Sequence, residues 1–169
     1  LDVKFGSGAF MKDIETAREL AKVMVSIGVG AGVKTVAALT SMEEPLGFAV
    51  GNALEITEAV DILSNKPDSN PSLRELCIAL SALAMIHAGV SHSDLEARET
   101  IDHIISSGKA LETWNNLIAA QGYSQQNPIL ESLPKAPVTA ECISPASGYI
   151  TSIDARRVGE IAMQMGAGR

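Results

Sequence analysis

The residues best suited to chemistry lie in the stretch 45–60, where a turn runs into a helix. Pro45 and Gly47 favour the turn, and the predicted helix carries Glu55 and Glu58, three residues apart on one face. Carbonyl and carboxylate oxygens are the ligands that hard cations prefer. The stretch therefore allows a cation site, although spacing alone more often indicates a loop followed by an ordinary helix with two solvated glutamates.

A second candidate stretch is the glycine-rich turn 5–10, which follows the end of an apolar strand at residues 1–3. Ser7 stands between Gly6 and Gly8, so the backbone there can approach a ligand closely. The third glycine of a dinucleotide fingerprint is missing, and a bare pair of glycines more often marks a structural turn. Open α/β sheets nevertheless bind ligands outside the carboxyl ends of their strands, which is where this turn falls.

The elements that position these two stretches form a predicted βαβ unit. An apolar stripe predicts a helix over 11–27, the short apolar run 34–39 predicts a second strand, and a further helix is expected over 51–64. A strand, helix and strand joined in this way give a right-handed crossover and a parallel pair. The glycine turn and the stretch 45–60 then both follow strand ends, so we expect them on the same, ligand-binding side of the sheet.

The rest of the chain is predicted to be mainly helical up to a change in composition after Gly122. Ser93 and Glu96 form a capping box at the start of one of these helices. Residues 138–143 and 149–153 alternate in a β pattern around a turn, which predicts a hairpin. The predicted helices cover 72–87, 93–105, 109–121 and 154–165, with a short turn of helix at 129–133.

These patterns divide the chain into an α/β part over 1–122, a linker over 123–137 rich in Pro, Gln and Asn, and a second unit over 138–169. A hairpin and one helix cannot bury a barrel core. We therefore expect the second unit to be incomplete or docked on the first. The fold class is thus α/β, with part of a parallel-sheet domain followed by the start of a smaller α+β domain.

Composition limits the classes of partner. Hydrophobic residues make up 46% of 169 and aromatic residues 4%, so a core must be built mainly from aliphatic side chains. Twenty acidic against thirteen basic residues give a net charge of −7, which argues against nonspecific nucleic-acid binding. No apolar run reaches membrane-spanning length. Cys77 and Cys142 show no metal or redox spacing and are expected to be reduced, which favours a cytoplasmic location.

Two strings carry a resemblance to a known family. Pro-Leu-Gly-Phe-Ala-Val-Gly-Asn-Ala-Leu-Glu at 45–55 resembles the signature of pyrimidine nucleoside phosphorylases, the family that includes thymidine phosphorylase and has the glycosyltransferase family 3 fold. Asp-Val-Lys-Phe-Gly-Ser-Gly-Ala-Phe-Met at 2–11 resembles a second family segment. Shorter strings at 119–122, 133–136 and 166–169 fit in the same order, so the resemblance covers nearly the whole chain.

The resemblance implies an activity and a domain assignment. The family cleaves thymidine- and uridine-type nucleosides reversibly with inorganic phosphate, releasing the free base and a pentose 1-phosphate. Residues 1–122 would be the carboxyl-terminal part of its α/β catalytic domain, and 138–169 the beginning of its barrel-sandwich-like domain. The family's phosphate-binding loop and its base-binding Arg, Ser and Lys have no counterpart in this chain. We therefore expect a piece of a longer protein that is inactive by itself.

The resemblance also implies roles for four residues. Phe10 matches an apolar residue that packs against the pyrimidine, although from sequence alone a core Phe that closes the start of the helix is equally expected. Leu46 and Ala49 match positions whose main-chain carbonyls bind potassium (K+), and Glu58 matches the carboxylate that completes this site. Glu55, one helical turn earlier, is not the implied ligand.

Partners follow from the same resemblance, and two other functions stay open. A pyrimidine nucleoside and phosphate are the expected substrates, without an organic cofactor, nucleic acid or membrane, and the full-length protein is expected to be a homodimer. A phosphoribosyltransferase of the same fold would need a pyrophosphate-binding glycine loop and magnesium-binding acidic residues, and neither stands out. A non-catalytic α/β binding module is the other alternative. The preference between uridine and thymidine is not determined by the residues present.

Overall fold

The computed structural model describes residues 1–123 and 129–168, so residues 124–128 of the predicted linker and Arg169 lie outside the described part. The described chain is a mixed α/β structure, as predicted. Its elements in chain order are β1 (Asp2–Phe5), α1 (Ile14–Gly30), β2 (Ala38–Ser41), α2 (Asn52–Leu63), α3 (Pro71–Ala88), α4 (Asp94–Ser106), α5 (Lys109–Ala120), α6 (Ile129–Ser132) and α7 (Ala155–Gln164).

The predicted parallel strand pair is confirmed. β1 and β2 pair in parallel, with Asp2 opposite Ala38 and Phe5 opposite Ser41. β2 begins later than the apolar run at 34–39 indicated, because the register with β1 decides where a strand forms. Residues 34–37 stay outside the strand, although the Leu1 nitrogen still donates to the Val36 carbonyl at 2.8 Å.

Helix α1 covers this sheet through small residues. Ala17 and Ala21 are buried against Val3 of β1, with Phe5, Met11 and other apolar side chains around them. Small side chains allow a helix to lie close to a strand. The helix begins at Ile14 rather than at the predicted residue 11 because Asp13 caps it, accepting a hydrogen bond from the amide of Thr16 at 2.8 Å.

A second core lies between α3 and α4. Its buried members are Ile78, Ala82, Ala97, Ile101 and Ile105. One half of the predicted capping box at the start of α4 is present, since the side chain of Ser93 accepts from the Glu96 amide. The Glu96 carboxylate accepts from the amide of His92, one residue before the N-cap, at 2.7 Å rather than from that of Ser93. The ion pairs Arg74–Asp102 and Arg98–Glu75 join the two helices at their rim, with nitrogen–oxygen distances of 2.9 and 2.7 Å.

The predicted hairpin over 138–153 is wrong for this structure. These residues form no strand, and their apolar side chains other than Ile153 are exposed, up to 99% for Tyr149. A two-stranded hairpin is marginal in water without a third strand or a helix to cover its apolar face. No such partner covers residues 138–153 within the described part of the chain, so the β pattern is not realised as pairing.

Helix α7 is nevertheless formed, and Asp154 caps it as predicted, accepting from the Arg157 amide at 3.0 Å. The division of the chain into units at 123–137 stays a prediction. Cys77 and Cys142 are free and exposed. Of the helices that the structure describes, none has the length and apolar character needed to cross a bilayer.

Helix α3 offers a matched pair of alanines for testing the second core. Ala82 is 0% exposed in the core, whereas Ala84, two residues on, faces solvent. We predict that Ala82→Leu lowers the free energy of unfolding by about 1–3 kcal/mol because the added atoms overpack the α3–α4 contact. Ala84→Leu should stay within about 0.5 kcal/mol of the parent. Urea unfolding measures both, and equal losses would show that α3 does not pack on α4 as described.

Candidate functional site

The glycine turn after β1 and the loop after β2 are in direct contact, as the predicted topology requires. The amide of Gly8 donates to the Met42 carbonyl at 2.9 Å, and the Ser7 amide donates to a carboxylate oxygen of Glu43 at 3.1 Å. A Cβ atom at Gly6 would lie 2.7 Å from the Glu43 nitrogen, and Gly6 has a φ of +116°. Only glycine fits that position, so the close approach of the two loops depends on it.

Phe10 projects from this turn and borders a cavity. Its side chain is 98% exposed, so it is not a core residue closing the start of α1. The cavity measures about 770 Å³ and is bordered by apolar side chains of β1, α1 and the turn, together with Asp2, Lys4 and Lys12. A space of this size, apolar with a few charged groups, is typical of small-molecule sites.

Lys12 braces the turn that presents Phe10. Its Nζ donates to the carbonyl of Ser7 at 3.0 Å and to the carbonyl of Ala9 at 2.7 Å. Two carbonyl dipoles thus converge on one ammonium group, and Phe10 is the next residue along the chain. The backbone that carries the exposed Phe10 side chain is therefore held by charge-assisted hydrogen bonds rather than by burial.

Asp2 forms a charged cluster at the strand pair beside the cavity. Its carboxylate accepts from Lys4 Nζ at 2.8 Å and from the hydroxyl of Thr40 on β2, so it joins the two strands through side chains. Partial burial opposes ionisation of Asp2, but the hydrogen bonds from Lys4 and Thr40 outweigh it and hold the pKa below its ordinary value. The cavity therefore carries a fixed negative charge and a paired ammonium at one end.

Glu58 holds the loop before α2. One oxygen of its carboxylate accepts from the amide of Phe48 at 2.7 Å, and the other accepts from the amide of Ala49 at 3.0 Å. A Cβ at Gly47 would lie 2.5 Å from the nearer oxygen, and Gly47 has a φ of +83°. The carboxylate is thus enclosed by the loop 47–49, in a space that only a glycine leaves open.

The two glutamates of α2 have different partners. Glu55 accepts from the Gly51 amide at 2.9 Å, four residues before it, and so closes the start of its own helix. Glu58 instead reaches back ten residues to Phe48. The two carboxylates that the sequence places on one face therefore have different hydrogen-bond partners.

The Glu58 carboxylate has oxygen lone pairs that its two described hydrogen bonds leave unused. An ionised carboxylate has about four lone-pair positions. The two amide hydrogen bonds occupy one on each oxygen. Ala49 is in contact with Glu58 through its amide, and Leu46 directly precedes Gly47 in the same loop. Within residues 1–123 and 129–168 there is no group of three or more His, Cys, Asp and Glu side chains suited to a metal, so any cation here would need carbonyl ligands.

Three contributors to the site are not predicted by the sequence patterns. Glu43 could have been suspected, since it is a polar residue just after the carboxyl end of β2. Lys12 looks like an ordinary residue near a helix start. Residues of the α7 segment also reach the site: the Ala155 amide donates to the Ser7 hydroxyl, across 148 positions of sequence. No local pattern could indicate a contact at that separation.

The chain is similar to one family model and to several curated proteins. Residues 1–111 match a family model described as "Glycosyl transferase family, a/b domain". The whole chain is 42% identical to a pyrimidine-nucleoside phosphorylase of Geobacillus stearothermophilus, over 39% of that protein. It is 40% identical to the protein of the same name from Bacillus subtilis (strain 168) and 41% identical to that of Staphylococcus aureus (strain USA300), again over 39% of each. The chain therefore spans well under half the length of these curated relatives.

The charged cluster at Asp2 predicts a pH-dependent contribution to stability. Because the pKa of Asp2 is lowered in the folded chain, its stabilisation is present above the unfolded pKa, about 3.9, and is lost as the pH falls through the folded value. We predict that Asp2→Asn lowers the free energy of unfolding at pH 6–7 and that the gap to the parent narrows toward pH 3. Urea unfolding at several pH values measures the difference in free energy of unfolding between the two proteins. A difference that does not change with pH would contradict the lowered pKa of Asp2.

Proposed function

The chain belongs to the glycosyl transferase family, and we propose that, within a longer polypeptide, it forms part of the active site of a pyrimidine-nucleoside phosphorylase. The observation that carries this proposal is the cavity of about 770 Å³ beside the exposed ring of Phe10, on the ligand-binding side of a parallel strand pair. The names of the relatives, at 40–42% identity over this whole chain, support the same reading.

The proposed reaction is phosphorolysis. A phosphate oxygen attacks the anomeric carbon of the nucleoside, the glycosidic C–N bond breaks, and its electron pair leaves with the base. Positive charge develops on the sugar and negative charge on the base, so the site must hold phosphate on one side and donate hydrogen bonds to the base on the other. The groups that would grip the phosphate and donate to the base belong to polypeptide outside this chain.

In this proposal the ring of Phe10 packs against the pyrimidine. An aromatic ring packed against the base contributes about 0.5–1.5 kcal/mol beyond the area it buries and excludes water from the reacting bond. The ring is free to do so because it borders the cavity and is exposed on the turn that Lys12 holds, instead of packing in a core.

Glu58, with the main-chain carbonyls of Leu46 and Ala49, forms the proposed potassium site. When bound, K+ would supply positive charge that fixes this loop relative to the phosphate side. The support is the enclosed carboxylate, which already holds the loop through two amides and keeps unused lone pairs. The chain's own contribution is a loop kept in one conformation by Gly47 and Glu58.

The full-length protein is further proposed to be a cytoplasmic homodimer that acts on thymidine, uridine or both. The free, exposed cysteines Cys77 and Cys142 support a reducing compartment. The dimer and the pair of substrates rest on the family resemblance alone.

The reaction is tested with the full-length protein and a matched pair of aromatic variants. Uracil or thymine should be released from uridine or thymidine only when inorganic phosphate is present. Phe10→Ala should raise KM for the nucleoside by roughly two- to tenfold through the lost ring contact. Tyr149→Ala, which removes an exposed ring that does not border the cavity, should change KM little. Release of base without phosphate, or of none at all, would contradict the proposed function.

The cation site is tested with the two glutamates of α2. Glu58→Gln keeps the shape of the side chain but removes the charge, so activation by K+ and the rise in Tm on replacing tetramethylammonium with K+ should both be lost. Glu55→Gln, one turn away, should retain both, since Glu55 bonds only the start of its own helix. Equal K+ responses in the two variants would rule out Glu58 as the ligand.

A further inference from the structure

The segment 155–167, which contains α7, contacts the turn that presents Phe10. The amide of Ala155 donates to the hydroxyl oxygen of Ser7 at 3.3 Å. The same hydroxyl donates to the carbonyl of Glu43 at 2.9 Å. A Cβ at Gly8 would lie 3.0 Å from that of Ala155, which is tighter than ordinary van der Waals contact, so the missing side chain of Gly8 leaves the space that Ala155 occupies. One hydroxyl thus joins the loops after β1 and β2 to the start of α7.

The other end of the same segment contacts the start of α2. The amide of Asn52 donates to the Ala167 carbonyl at 2.7 Å, which satisfies one of the free amides at the helix start. A Cβ at Gly51 would lie 2.8 Å from that of Ala167, and Gly51 has a φ of +123°. The helix that carries Glu58 therefore begins against Ala167.

The segment between these two contacts is short and rigid. Helix α7 has ten residues, which corresponds to about 15 Å of α-helix. The turn after it is closed by hydrogen bonds from Gly166 to the Met163 carbonyl and from Ala167 to the Ala162 carbonyl, at 3.0 and 2.9 Å. A displacement at one end of such a segment is carried to the other.

This segment is held with little burial. None of the residues of α7 is fully buried, its apolar residues Ala155, Val158 and Ala162 are half-buried, and Ile161, Met163 and Met165 are substantially exposed. Beyond this half-buried face, docking depends on the contacts at Ser7 and Gly51. The Arg156 side chain borders the cavity beside Phe10, and its ion pair is with Glu160 of the same helix. Where few contacts hold an element, removing one of them has a large effect on its docking.

We propose that residues 155–167 act as a clamp that holds the Phe10 turn and the Glu58 helix in a fixed relation, with Ser7 and Gly51 as positioning residues. The proposal rests on the proposed function, because it assigns those two elements to the base and the cation. Whether residues 155–167 dock as described can be measured independently of enzyme activity.

The test uses two variants of the full-length protein, each with a matched control. Ser7→Ala removes the hydroxyl that joins three elements, whereas Ser107→Ala removes a hydroxyl bonded only to Ile104 within the same turn. Gly51→Ala adds both backbone strain and a clash with Ala167. Gly108→Ala adds strain at a φ of +81° where a Cβ would meet nothing within 4 Å.

Hydrogen exchange followed by mass spectrometry reports on docking. Peptides from 155–167 should exchange several-fold faster in Ser7→Ala and Gly51→Ala than in the parent, and at the parent rate in the two controls. Unchanged exchange in both variants would overturn the clamp, whatever the activity of the protein.

Enzyme kinetics tests whether the clamp positions the Phe10 turn and the Glu58 helix. With uridine or thymidine, inorganic phosphate and potassium chloride, Ser7→Ala should raise both KM for the nucleoside and the K+ concentration for half-activation about three- to tenfold. A rise in only one of the two, or in neither despite faster exchange, would overturn the positioning role. If the parent protein docks the segment as described but releases no base, the proposed function fails, while the exchange result still supports the docking.

Discussion

The structure around the site depends on one carboxylate bonded to two backbone amides. Glu58 bonds both Phe48 and Ala49, and Gly47 leaves the space for it. Hydrogen bonds to a charged group contribute about 1.5–3 kcal/mol each, which is enough to select one conformation of a short loop. Because Glu58 lies on α2, the loop moves with that helix rather than independently. The position of α2 therefore decides where the candidate cation ligands lie.

The sheet fixes the other half of the site. Parallel pairing of β1 with β2 places the loops that follow them at one edge, where Gly6 allows them to touch. From this edge the turn presents Phe10 to the cavity, and the second loop leads into the Glu58 stretch. The two parts are thus neighbours because of topology, and the α7 segment adds a direct connection between them.

Much of this arrangement was predictable, because it follows from local rules. The βαβ unit and the Ser93 cap of α4 depend on periodicity and on side chains within a few residues of each other. The start of β2, the failed hairpin at 138–153 and the contact of Ala155 with Ser7 depend instead on which partner is available in space. Pairing and docking at long sequence separation leave no periodic pattern, which is why the Phe10 and Glu58 stretches could be identified but not their connection.

The central claim is that the loop before α2 binds a monovalent cation. Anomalous scattering tests this claim most directly. Crystals of the full-length protein grown with thallium or rubidium in place of potassium would locate the ion without reference to activity. The expected result is one strong anomalous peak in contact with the Glu58 carboxylate and with the carbonyls of Leu46 and Ala49. A well-ordered loop with no peak there, or a peak bound only at other residues, would contradict it.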